Sequence, residues 1–168
     1  MRKIPLTKGM YALVDDKDYK ELMKHKWCVT RAGNSFYAVR SSSMKKGPRR
    51  LIFMHRQILK PPPGYQCDHK NHNTLDNRNR NLRIATHAQN IRNQPKRKGT
   101  WSSRFKGVSY FKRDGTYHAS IAFWTGNPAK RRTIHLGTFS SEVAAARAYD
   151  DAAMSLFKEF AWLNFRRK

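Results

Sequence analysis

The sequence predicts an α+β fold in two parts: a strand–strand–helix unit built around an asparagine-rich loop, then a three-stranded antiparallel sheet packed on one helix. Three observations predict it. Tyr117, Ala119, Ile121 and Phe123 alternate with His118, Ser120, Ala122 and Trp124, the period of a half-buried strand, and Ile134 and Leu136 alternate with Thr133 and His135 in the same way. Ala145, Ala148, Tyr149 and Ala152 then form one stripe at helical spacing. Upstream, Tyr65–His69 and Arg83–Ala85 read as short strands flanking a polar loop, and Thr86-x-x-Gln89 is a capping box that opens a helix. Between the halves, Gln94-Pro-Lys-Arg-Lys-Gly-Thr100 is polar, basic and punctuated by Pro and Gly, as linkers are. The expected division is therefore 1–93, a basic linker over 94–102, and 103–168.

The remaining elements follow in chain order. Asp15 to Lys26 reads as a helix opened by its own acids, with Tyr19, Leu22 and Met23 on one face. Trp27–Arg31 and Phe36–Arg40 read as strands about a turn at Ala32-Gly33-Asn34. A third strand, Arg50–Met54, leads into His55–Leu59, and Pro61-Pro62-Pro63-Gly64 stops regular structure. The helix opened at Thr86 ends before Gln94-Pro95, since the residue before proline is biased away from helix. In the second half Val108 follows Gly107 in a candidate strand. Ser140 is placed to cap a helix whose first turn holds Glu142. The stripe covers one face of the sheet and leaves the other bare.

Charge narrows the partner. Thirty-five Lys and Arg face eleven Asp and Glu, a net charge of +24 over 168 residues. Self-repulsion of that size calls for an anionic partner, and nucleic acid is the usual one. No carboxylate lies between Asp76 and Asp114, while arginines and lysines from Arg78 to Arg113 crowd that window, the pattern of a phosphate-tracking surface. A membrane is disfavoured: no run of eighteen apolar residues occurs, and Met1-Arg-Lys-Ile-Pro-Leu6 has no apolar leader core. Disorder is disfavoured by 39% hydrophobic and 12% aromatic residues, enough for a core. Two cysteines, Cys28 and Cys67, make no disulfide framework and point to a reducing intracellular compartment.

The densest chemistry runs from Cys67 to Asn90. Asp68 and Asn90 offer the oxygen that a hard divalent ion takes alongside water and phosphate. His69 is a neighbouring base whose ordinary pKa lies near neutrality. Together they suit activation of water beside a phosphate. Cys67, His69, His72 and His87 fit no common zinc spacing. His55 reads as packing or a phosphate contact, and His87 as an exposed first-turn residue.

The segment Asn77-Arg78-Asn79-Arg80-Asn81-Leu82-Arg83, with Asp68-His69, Asn90 and the lead-in Met54-His55-Arg56, resembles the HNH-family endonucleases, in the Asp-His…Asn…Asn variant of phage and intron-encoded enzymes. The resemblance covers residues 1–93 and implies a ββα-metal domain. It further implies one divalent metal, magnesium or manganese, on Asp68 and Asn90, with His69 as general base and Asn81 steadying the loop and orienting His69. Asn77 and Asn79 are neighbouring candidates for that last role. His72 departs from the Gly or Asp common at its position.

Residues 103–165 resemble the plant ethylene-response-factor (APETALA-type) DNA-binding domain. The matching pieces are Lys106-Gly107-Val108, Ile134-His135-Leu136-Gly137-Thr138-Phe139, the Glu142–Ala153 helix with Ala148-Tyr149-Asp150, and Leu163-Asn164-Phe165. This resemblance implies that the bare sheet face enters the major groove through Lys106, Ser109, Phe111, Arg113, Ser120, Ala122, Thr133 and His135. Several of these are Arg or Trp in the plant domains, so the plant target does not transfer. Arg92, Lys96, Arg97, Lys98, Arg104, Lys112, Arg131 and Arg132 complete the expected DNA contacts.

The expectation is a metal-dependent, site-selective DNA endonuclease of homing or phage type. It would act on double-stranded DNA as a nicking monomer, with no small-molecule substrate, in the cytoplasm of a bacterial host. The alternatives are a DNA-binding regulator with a vestigial nuclease half, and a basic RNA-binding protein, for which the Asp-His constellation has no purpose.

Overall fold

A hairpin opens the chain. β1 (Arg2–Pro5) pairs antiparallel with β2 (Tyr11–Val14), with Ile4 opposite Ala12. Lys8 and Gly9, both at positive φ, carry the turn. Ile4, Ala12 and Val14 point into the core with Leu22, Trp27, Ala38 and Met54. The computed structural model describes residues 1–42, 50–125 and 130–165, and the chain divides into two units, Met1–His87 and Ala88–Lys168.

In the first unit the expected helix is shorter than its acids suggested: α1 spans Asp16–Leu22, with Asp15 preceding it. It stops where Trp27 turns inward, and Trp27 Nε1 donates to the Leu22 carbonyl at 2.8 Å. β3 (Cys28–Ala32), β4 (Ser35–Ser41) and β5 (Leu51–Phe53) form an antiparallel sheet in that order. β5 runs directly into α2 (Met54–Leu59), which buries Met54 and His55. β6 (Gln66–His69) and β7 (Leu82–Ala85) pair antiparallel, with Asp68 opposite Arg83 and His69 opposite Leu82.

The asparagine-rich loop between them is sewn to the hairpin. Leu13 N donates to Leu75 O and Asn77 N to Leu13 O, both at 2.8 Å. Asn79 donates from its backbone and side chain to Asp15, at 2.7 and 3.1 Å, and from its side chain to Asp18 at 2.9 Å. The acids read as a helix opening therefore also hold the loop.

α3 (His87–Arg92) follows β7, and most of it falls in the second unit. That unit holds β8 (Val108–Phe111), β9 (Thr116–Trp124) and β10 (Arg131–Phe139), antiparallel in the order β10-β9-β8. A bulge between His135 and Gly137 shifts the β9–β10 register. α4 (Glu142–Phe157) covers one face, burying Ala145, Ala146, Tyr149, Ala153 and Phe157, with Ala148 and Ala152 packed beside them. Its cap is Ser141, whose hydroxyl accepts from Ala144 N at 3.4 Å, one residue beyond the expected Ser140.

Candidate active site

Asp68 and His69 are adjacent on β6, so their side chains leave opposite faces of the strand. Both are 5% exposed. Across the ladder, Arg83 reaches Asp68 Oδ2 with Nε and Nη2, each at 2.7 Å. An opposite-charge pair directly across two strands is the placement that favours contact. By sequence alone Arg83 is one more basic residue in a basic window. Its spacing from the loop mirrors that of Asp68, a signal visible once the two strands are paired.

His69 sits in an aromatic cluster. Its ring meets that of His55 edge-on, with centroids 5.2 Å apart and planes at 83°, and Tyr37 lies 6.4 Å away. Phe53 packs on His55 at 5.4 Å and on Tyr37 at 5.8 Å. Burial pushes the His55 pKa down to about 3, helped by the nearby His69 and Arg56 charges. Burial also lowers the His69 pKa, against the Asn77 hydrogen bond and the Asp68 and Asp76 charges. Both rings are therefore neutral at physiological pH, as a general base must be before it takes a proton.

The residue on the His69 ring is Asn77, fully buried, with Oδ1 3.3 Å from Nε2. Asn77 Nδ2 donates to Leu75 O, which leaves Oδ1 as the atom facing the ring. This arrangement suits the tautomer in which His69 Nε2–H donates and the basic lone pair is at Nδ1. Asn81 does something different. Its Nδ2 donates to Asp76 O at 2.7 Å and its Oδ1 accepts from Asn71 N at 2.9 Å, which closes the loop. Asp76 finishes the clamp, paired with Arg78 at 2.6 Å and accepting from Asn71 Nδ2 at 3.0 Å. Arg78 accordingly holds the Asp76 carboxyl below its usual range. Cys67 is half-buried on β6, and burial pushes its thiol up to about 11, so it is no nucleophile at neutral pH.

Asn90 lies on α3, in the second unit. Among the described residues no group of three or more His, Cys, Asp and Glu side chains is placed to hold a metal. A lone buried carboxylate beside a neutral histidine is a poor cage for a protein-enclosed ion. It suits a hard ion that keeps its water and takes phosphate as ligand, as magnesium does.

A model of the family described as HNH endonuclease matches residues 60–92, the stretch holding β6, the loop, β7 and α3. An uncharacterized HNH endonuclease of Acanthamoeba polyphaga mimivirus is 32% identical over 155 residues, covering 92% of this chain and 74% of the relative. The chain belongs to the HNH endonuclease family. No solved structure matches it. In this HNH endonuclease the matched segment carries every buried polar residue from Asp68 to Asn81, so the family signature and the polar cluster coincide.

The basic residues of the second unit divide by environment. Lys96 Nζ donates to Ser103 O at 2.9 Å and Phe105 O at 2.8 Å, and Lys106 Nζ to Arg92 O at 2.9 Å and Gln94 O at 2.6 Å. These ammonium groups tie the 94–102 stretch and the end of α3 to the sheet unit. Burial lowers the Lys106 pKa to about 8 and that of Lys96 in the same direction. Arg92 lies over the Phe157 ring at 4.7 Å and Arg104 over Phe105 at 4.9 Å. Arg113 pairs with Asp114 at 2.8 Å. Arg97, Lys98, Lys112, Arg131, Arg132, Thr133 and His135 are exposed. On the face opposite α4, Phe111 stacks on His118 at 3.9 Å, and His118 meets His135 at 5.4 Å.

Proposed function

We propose that this HNH endonuclease is a metal-dependent enzyme that hydrolyses phosphodiesters of double-stranded DNA, nicking one strand per event as a monomer. In this reading residues 1–93 form the ββα-metal catalytic domain, 94–102 a basic connection, and 103–168 an ethylene-response-factor-like DNA-reading domain. The carrying observation is the buried Asp68–His69 pair, with Arg83 on the carboxylate and Asn77 on the imidazole.

Asp68 and Asn90 would hold one magnesium or manganese ion. Bound there, it would polarise the scissile phosphate and stabilise the charge that builds on it. His69 takes the proton of the attacking water at Nδ1, while Asn77 holds Nε2–H and fixes the tautomer. Asn81 acts at one remove by closing the loop that positions Asn77. Arg83 aims Asp68 through its two contacts on Oδ2. A positioned base contributes about 10²–10⁴-fold to the rate.

DNA binding is supported by the exposed cations and by the sheet face left open opposite α4, which displays Ser109, Phe111, Ser120, Ala122, Thr133 and His135. Exposed Arg131, Arg132, Lys112, Arg97 and Lys98 are the phosphate contacts of this reading. A role in homing of a mobile gene or in phage genome processing, in a bacterial cytoplasm, belongs to the same proposal. The relative's viral origin supports the viral part of it.

The test is supercoiled plasmid incubated with the protein and magnesium or manganese, with a chelator control and His69→Ala. Open circles that need the ion and disappear in the variant support the enzyme. Binding without cleavage in either ion would overturn it in favour of a DNA-binding regulator.

A further inference from the structure

Between β5 and the exposed side of α2 lies a cavity of about 370 Å³ that none of the roles above uses. Its floor is apolar, from Leu51 and Phe53 of β5, and its wall carries Arg40 of β4 with Arg56, Gln57 and Lys60. The spacing explains the composition. Phe53, Arg56, Gln57 and Lys60 are three or four residues apart along α2 and its lead-in, so they share one side of the helix.

Among the described residues three cations line this cavity and no carboxylate does. Lys60 is shared with an adjoining groove that carries Asp18 and Glu21, so the excess positive charge rests on Arg40 and Arg56. Arg40 is already oriented: its Nε donates to Gln57 Oε1 at 2.9 Å, and its guanidinium lies 5.8 Å from the Trp27 ring centre. Arg56 is exposed. A fixed guanidinium, an exposed one and an apolar floor match a sugar–phosphate unit, whose anion needs donors and whose sugar carbons need a dry surface.

The cavity is also close to the chemistry. Phe53, its floor, is one ring contact from His55 at 5.4 Å, and His55 is one ring contact from His69 at 5.2 Å. That puts the floor within about three nucleotide rises of roughly 3.4 Å from the catalytic histidine.

We propose that this cavity is a DNA-backbone subsite. Arg56 and Arg40 hold one phosphodiester of the substrate strand a few nucleotides from the scissile bond, with its deoxyribose on Leu51 and Phe53. The subsite rests on the DNA-cleaving reading for its substrate, and its own test separates the two.

The test measures binding of a short fluorescein-labelled DNA duplex by anisotropy across a potassium chloride series, with chelator present so that nothing is cut. It compares the full chain with Arg56→Gln, Arg56→Lys and the control Lys17→Gln. Lys17 is an exposed cation on α1, so the control matches the charge change away from the cavity. A contact with one phosphate contributes about 0.9 to the slope of log K against log salt. Arg56→Gln should flatten the slope by about one and weaken binding about tenfold at low salt. Arg56→Lys should keep the slope, and Lys17→Gln should leave both unchanged. In plasmid cleavage Arg56→Gln should raise KM with kcat within about twofold, the sign of binding energy shared by ground and transition states. An Arg56→Gln slope equal to that of the wild type or of Lys17→Gln overturns the subsite. If the slope depends on Arg56 but the wild type cuts in neither magnesium nor manganese, the subsite stands and the nuclease reading falls.

Discussion

Replacing Arg83 with methionine should expose how much of the nuclease unit hangs on one ion pair. Asp68 and Arg83 have side chains only 6% and 11% exposed, and both guanidinium contacts fall on one carboxylate oxygen at 2.7 Å. Methionine keeps most of the volume and removes the charge, taking from the buried carboxylate the cation paired with it. Breaking a buried pair from one side costs about 3–5 kcal/mol. In an Asp68→Asn background there is no stranded charge, and the same change should cost about 1 kcal/mol, the net worth of an ordinary hydrogen bond. The double-mutant cycle should therefore show a coupling of about 2–4 kcal/mol.

Urea unfolding followed by backbone NMR signals from β6 and β7 would read this directly. With a urea slope of about 2 kcal/mol/M, Arg83→Met should move the midpoint by about 2 M and Asp68→Asn/Arg83→Met by far less. Manganese should recover more stability in Arg83→Met than in wild type, because a cation at Asp68 supplies the missing charge. Equal costs of Arg83→Met in both backgrounds would refute the reasoning: the pair would then be a solvated contact and Asp68 would owe nothing to Arg83.

Asn77→Ala should lower kcat about 10–100-fold with manganese bound, since it frees the His69 tautomer and ring. Asn81→Ala should act on folding first, losing about 1–3 kcal/mol in urea unfolding from two unmet loop groups. Gly107→Ala should destabilise the second unit by about 2–5 kcal/mol, adding left-handed backbone cost to overpacking. Gly107 sits at φ +77, and an added Cβ would lie 1.9 Å from Tyr149 Cδ2. Lys106 titrates at about 8 in the fold against 10.5 in the free chain, so the unfolded state binds its proton first as pH falls. The second unit should therefore gain stability as pH rises from about 8 towards 10 and lose it in the reverse direction. Lys106→Met should shrink that rise, seen as a smaller difference in urea midpoint between the two ends of the window, with the remainder carried by Lys96.

Local chemistry was legible and long-range contact was not. The alternation in β9 and the alanines of α4 each report on their own neighbours, so strand and helix were both readable. The β1–β2 hairpin went unread because its strands are four residues long and its turn places Lys8, not only a glycine, at positive φ. Ser140 and Ser141 are equivalent by composition, and only the backbone decides which hydroxyl faces Ala144 N. The candidate site divides in the same way. Asp68, His69 and the loop asparagines stand together in sequence, whereas Tyr37 and His55 reach His69 from β4 and α2, with Phe53 of β5 packed on both. The separate tasks of Asn77 and Asn81 depend on loop backbone direction, which a run of alternating Asn and Arg does not reveal.

The acids explain how so basic a chain folds. Asp16 takes Arg2 and the chain amine, Glu21 takes Lys24, Asp15 and Asp18 take Asn79, Asp76 takes Arg78 and Asn71, and Asp68 takes Arg83. In the second unit Glu142 accepts from Ser103 and the Arg104 amide, and Asp150 from the Asn164 and Phe165 amides. Most carboxylates are thus committed to fastening loops and termini, where they also draw down nearby positive charge. Little negative charge remains to balance the exposed cations, so the repulsion implied by +24 falls on the outside of a fastened frame. A polyanion relieves that repulsion on contact. Asp68 belongs to both accounts, as a fastener of β6 to β7 and as the carboxylate beside His69. In the proposed reading a metal ion on Asp68 would share that carboxylate with Arg83, and it would bind best when a phosphate engages the guanidinium in turn.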